Sequence, residues 1–95
     1  MRNVIKKKIQ IENREHFQIF LFGSIVYSEN PNDVDIAIIY DSEYIENMDA
    51  IIYRKEVVKK MSDQVMPLPV DAILLSIREE KEIGFLSSAK HIKIQ

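Results

Sequence analysis

Asp33 and Asp35 stand two residues apart, with Val34 between them, at the head of an apolar run that continues Ile36, Ala37, Ile38, Ile39 and Tyr40. In an extended strand residues i and i+2 project from one face, so both carboxylates point the same way while Val34 packs on the other side. Two carboxylates that close repel each other in a dry site, and a divalent cation between them relieves the repulsion. All-oxygen ligation suits Mg²⁺ or Mn²⁺ rather than zinc. The same residues also suit a plain junction, in which Asp33 completes the Asn30-Pro31-Asn32 turn and Asp35 begins a strand at a solvated edge. Asp71 adds weight to the metal side. It interrupts the run Val70, Ala72, Ile73, Leu74, Leu75, where an unpaired charge is costly to bury. Should its strand lie beside that of Asp35, three carboxylates converge and can hold two metal ions about 3.5–4 Å apart, the spacing of in-line phosphoryl displacement. Its alternative is a strand-end carboxylate facing water.

Phe22-Gly23-Ser24 offers the other half of a phosphate site. Glycine at a strand end permits close backbone approach, and Ser24 can begin a short helix whose free N–H groups attract anions. A Gly-Ser pair alone is common. The specific feature is the order: an apolar strand, Gly23-Ser24, a short connection, Asp33-Val34-Asp35 on a strand, and a third aspartate on a later strand.

Three apolar runs of strand length must position these residues: Phe17 to Phe22, Val34 to Tyr40, and Val70 to Leu75 after Pro67 and Pro69. Each is apolar on both faces, which suits a sheet covered by helices. Between the second and third, Ala50 to Gln64 reads as a helix with Ile51, Val58, Met61 and Val65 on its inner stripe. Met48, Ile52, Tyr53 and Val57 fall off that stripe, so some of them are expected to face outward as a contact surface. Asn3 to Glu15 reads as a weak amphipathic helix, although Ile9 and Ile11 alternate as in a strand. Glu79 to Ser88 reads as a short helix interrupted by Gly84, and His91 to Gln95 as a last strand or a frayed end. The expected fold is α/β or α+β, a small mixed sheet covered by helices.

With 95 residues, one domain over 1–95 is expected. Hydrophobic residues at 46% and charged residues at 29% are globular proportions, against a disordered chain. A net charge of −2 provides no global basic field for nucleic acid, so a polyanion needs a local site. The absence of cysteine removes disulfides, thiolate zinc sites and cysteine nucleophiles, and fits a reducing compartment. With no apolar run of membrane-spanning length and no signal-peptide core, a cytoplasmic location is expected. His16 and His91 lack a metal-spaced partner and read as strand-edge or surface residues. Tyr27 reads as packing under its loop, with stacking on a base the alternative. The Lys6 to Lys8 run reads as a solvated helix face, with contact to nucleic acid or an acidic partner the alternative. Met48, Met61 and Met66 read as core or interface filler.

This order of motifs resembles the minimal nucleotidyltransferases of the DNA polymerase β-like superfamily, and the resemblance covers nearly the whole chain. It implies that Gly23 and Ser24 bind the β and γ phosphates of a nucleoside triphosphate, with ATP expected. It implies that Asp33 and Asp35 ligate two Mg²⁺ ions, and that Asp71 ligates the catalytic metal and helps deprotonate the attacking hydroxyl. Family members often carry Arg and Gly shortly after the Gly-Ser pair, whereas this sequence has Ile25, Val26, Tyr27 and Ser28, and its loop before Asp33 is shorter than usual. Many such proteins act as antitoxins by adenylylating a small helical HEPN-type toxin, which makes a hydroxyl on such a partner the expected acceptor. The chain is too short for the separate acceptor-binding domain of drug-modifying or tRNA-tailing relatives. A second class of function is a binding module of the same fold that neutralises or scaffolds a partner by contact; three carboxylates facing one cleft speak against it. A third, a small RNA-binding domain, lacks a basic face with interleaved aromatics.

Overall fold

The computed structural model describes residues 11, 12 and 14–94. Strand β1 is Phe17–Phe22, β2 Val34–Tyr40, β3 Val70–Ser76 and β4 His91–Lys93; helix α1 is Ser24–Tyr27, α2 Asn47–Val65, α3 Ile77–Ile83 and α4 Phe85–Ser88. The strands form one mixed sheet in the order β3-β2-β1-β4. β1 is antiparallel to β2 and to β4, whereas β2 and β3 run parallel. Parallel neighbours need a crossover, and α2 supplies it. The Lys6 to Lys8 run and most of the expected Asn3 to Glu15 helix lie outside the described residues. Of that helix, Ile11, Glu12 and Arg14 have no regular structure and Glu15 lies in a turn.

The main core lies between one sheet face and α2. Ile19, Leu21, Val34, Ile36 and Ile38 from the strands meet Ala50, Tyr53, Val57, Met61 and Val65 from the helix. The buried stripe is therefore rotated from the expected one. Tyr53 and Val57 are core at 5% and 1% exposure, Ile51 and Val58 are half-buried flanks, and only Met48 and Ile52 of the outward set face solvent. An aromatic contact accounts for the rotation: the Tyr53 ring sits 4.1 Å from that of Phe17, with the Arg14 guanidinium 5.2 Å from both ring centroids. Met61 is core, whereas Met48 and Met66 are exposed.

The opposite face is thinly covered. Phe20, Ala37 and Ile39 form a small cluster beneath Phe22, Phe85 and Leu86. β3 departs from the expectation of burial on both faces, because among the described residues it is a sheet edge, and its side chains alternate between half-buried and exposed over most of its length, Ile73 reaching 36%. The helix after β3 begins at Ile77, earlier than expected, since Ser76 and Glu79 form a reciprocal cap: the Glu79 amide donates to Ser76 Oγ at 3.1 Å and the Ser76 amide to Glu79 Oε1 at 2.9 Å. Gly84, left-handed at φ 68°, ends that helix, and α4 turns back so that Phe85 meets Phe22 edge to face at 4.9 Å.

The rotated stripe is checked by chemical denaturation. Met61→Ala and Val57→Ala are each expected to cost about 1–4 kcal/mol of folding stability, and Ile52→Ala less than about 0.5 kcal/mol.

Candidate active site

The end of the sheet where β1 stops and β2 and β3 start collects the chemistry-bearing residues. Asp33 sits just before β2. Asp35, its second residue, is paired with Phe22 on the antiparallel side and with Asp71 on the parallel side. Parallel pairing in that register puts Asp35 and Asp71 on one face, and Asp33, two residues before Asp35, joins them. One carboxylate oxygen from each of the three lies within 4.8 Å of the others. Asp33 and Asp35 are half-buried and Asp71 is exposed. All three occupy the thinly covered face, the side away from α2, so the α2 core braces their strands from behind.

Gly23 fits against this cluster. Its backbone, φ 75° and ψ −155°, lies in a region open essentially to glycine alone. A Cβ there would overlap the Asp35 carboxylate, with Cγ of Asp35 only 3.3 Å away. Glycine thus lets the chain pass directly over Asp35. Gly23 is also the residue that caps α1, and Ser24 is the first residue of that single turn rather than its cap. The Ser24 hydroxyl donates to Asp33 Oδ1 at 3.4 Å, a long contact that turns it toward the cluster. Ile25 and Val26 are buried, whereas Tyr27 is 63% exposed and does not pack under its loop. His16 stacks on Tyr44 at 4.1 Å and His91 lies edge-on to Phe20 at 5.3 Å; neither joins the carboxylate group.

Burial first, then the negative charges of Asp33 and Asp71 and a hydrogen bond with Asp33, hold the Asp35 carboxyl above the ordinary carboxylate range. An oxygen-only donor set under mutual repulsion is what a hard divalent cation relieves, so these residues fit Mg²⁺ or Mn²⁺. One neighbouring feature escapes sequence reasoning. A groove of about 590 Å³ beside Asp71 is lined by Arg54, Lys55 and Lys59 of α2 and by Val70 and Ala72 of β3. Lys55, Lys59 and Ser62 recur at i, i+4 and i+7, so the spacing was present in the sequence; which strand they would face was not.

Gly23→Ala is expected to destabilise the fold by about 1–3 kcal/mol and to push the Asp35 carboxylate aside, lowering Mn²⁺ affinity measured by calorimetry. Asp35 has its folded pKa raised, so the folded state favours the protonated form and the metal-free protein loses stability as pH rises through that pKa. Asp35→Asn removes this penalty. In thermal melts without metal the variant is expected to be more stable than the unaltered chain near neutral pH. The gain should vanish as pH falls through the raised pKa toward the ordinary carboxylate range.

No protein-family model and no curated protein matches the sequence. Among solved structures, the chain is similar to a crystal structure of a protein provisionally described as a nucleotidyltransferase. The TM-score is 0.54 and the identity 20%, with 99% of this chain and 92% of that chain covered. At that identity the likeness is one of fold: a mixed α+β sheet with its helices.

Proposed function

We propose that this chain is a metal-dependent nucleotidyltransferase that moves a nucleoside monophosphate, AMP expected, from a nucleoside triphosphate to a hydroxyl. The observation that carries this reading is the convergence of Asp33, Asp35 and Asp71 within 4.8 Å at the mouth of the Gly23-Ser24 turn. Asp33 and Asp35 would hold Mg²⁺, with Asp71 contributing to the ion nearer the acceptor. Bound cations supply neutralisation of the triphosphate and acidification of the acceptor hydroxyl.

The chain's own residues then have distinct tasks. Gly23 leaves room for the phosphates to approach backbone, and Ser24 offers a hydroxyl donor to them in place of its contact with Asp33. Asp71, exposed at the outer side of the cluster, receives the proton of the acceptor hydroxyl. The acceptor oxygen forms a bond to the α-phosphorus, the bond from that phosphorus to the bridging oxygen breaks, and pyrophosphate leaves with the displaced electron pair. The proton passes from Asp71 to solvent. For the acceptor we propose a side-chain hydroxyl of a partner protein, in keeping with the family resemblance to antitoxins of helical HEPN-type toxins. Exposed Met48 and Ile52, one turn apart on α2, support a protein partner.

A second reading is favoured by one observation. The turn after Ser24 carries buried Ile25 and Val26 and no cation to hold the triphosphate. A chain of this fold that neutralises its partner by contact alone would look the same there.

Radiolabelled ATP, GTP, CTP and UTP, each with Mg²⁺ or Mn²⁺ and a lysate of the source cells, distinguish the two. Label transfer is expected, with a fall of about 10²-fold or more in Asp35→Asn and in Asp71→Asn, equal to about 2.7 kcal/mol of barrier. Transfer that persists in both variants, or is absent with every nucleotide, would refute the enzyme.

A further inference from the structure

We propose that the free edge of β3 is a docking edge for an extended acidic segment of a partner protein, which adds as a fifth strand and sets a hydroxyl beside Asp71. This deepens the transferase reading and rests on it for the meaning of the hydroxyl.

β3 ends the sheet order, and among the described residues no strand pairs with its outer side. An open edge normally carries protection: brevity, lysine, proline or a bulge. The opposite edge has it, since β4 spans only His91–Lys93 and ends on a lysine. β3 has little of it: its seven residues, Val70–Ser76, contain no proline and no lysine, and its one charge, Asp71, belongs to the candidate site. A thinly protected strand of that length is a template for main-chain pairing with an incoming segment.

Pleat and charge specify the segment. Val70 and Ala72 lie on the α2 side of the sheet, packed against the main core. Asp71 and Ile73 therefore lie on the other. On the α2 side the edge opens into the groove lined by Arg54, Lys55 and Lys59, with Ser62 and Asp63 also on its wall. None of the three cations is paired with a described carboxylate. A residue added opposite Asp71 projects onto the open face, and its two neighbours project into the groove. The pattern is hence acidic, hydroxyl, acidic, with an apolar residue two positions from the hydroxyl to cover Ile73, which is 36% exposed. Extended backbone is what distinguishes this occupant from a nucleic-acid strand, which would meet the same cations but cannot pair with the edge.

The test uses the full chain without metal or nucleotide and a fluorescent peptide containing Glu-Tyr-Glu followed by Val, read by anisotropy. Binding is expected, weakened about tenfold or more by the surface double variant Lys55→Glu, Lys59→Glu. A peptide with Lys in place of both Glu residues should bind the double variant better than it binds the unaltered chain. N-methylation of the peptide backbone should abolish binding. Binding indifferent to both charge reversal and N-methylation would overturn the proposal, as would displacement of the peptide by a single-stranded RNA that binds more tightly at the same lysines. Labelled ATP with Mg²⁺ then separates the two levels. A peptide that docks as described but takes no nucleotide sinks the transferase reading and leaves the docking edge. Transfer to another hydroxyl with no peptide binding does the reverse.

Discussion

Three carboxylates held within 4.8 Å of one another are an electrostatic load that the rest of the fold has to carry. The parallel ladder of β2 and β3 sets Asp35 opposite Asp71, so their backbones cannot move apart without breaking the sheet. Gly23 closes over Asp35 from the third side. The raised pKa of Asp35 is the record of that confinement, with burial its first cause and the neighbouring charges its second. Soft surroundings would let such a cluster relax by rotating side chains into water. Here the backbone register denies one of the three that escape.

The two faces of the sheet divide the work. On the α2 side, fully buried Ile19, Ile36, Ile38 and Met61 supply the packing that makes the strands rigid. The other side carries only the small cluster under Phe22 and Phe85, and leaves the aspartates open to whatever binds. A thicker second layer would add stability and bury the site. The fold accordingly resembles a plate braced from one side only, with polar chemistry on the unbraced surface.

Much of this was legible in the residues. The runs at Phe17–Phe22 and Val34–Tyr40 carry enough β-branched and aromatic side chains to specify strands, and the lone charges in two apolar runs already marked Asp35 and Asp71 as neighbours. The phase of α2 was not legible, because apolar residues fill two adjacent stripes of that helix. Choosing between Ile51 with Val58 and Tyr53 with Val57 requires knowing that the Phe17 ring waits on the sheet. The Ser76–Glu79 cap could have been read from the Ser-x-x-Glu pattern, which would have started α3 at Ile77. The need for glycine at Gly23 was visible as a close approach, but its neighbour, Asp35, belongs to another strand and appears only in three dimensions. The basic groove was hidden for the same reason. Its cations are interleaved with Glu56 and Asp63 along the chain, and only the helix sorts them toward the β3 edge.

The crossover through α2 separates Asp35 from Asp71 by a long stretch of chain. In the unfolded ensemble these two groups rarely meet, so the repulsion between them, and any chelation of a cation, belongs almost wholly to the folded state. A divalent ion that enters the cluster therefore stabilises the native protein by mass action, in proportion to the logarithm of its concentration once the site is nearly full. With such an ion bound, the melting temperature would follow the free-ion concentration even after the site is full. Inside a cell the same linkage would tie the lifetime of the chain, against proteases that attack its unfolded form, to the supply of free divalent metal.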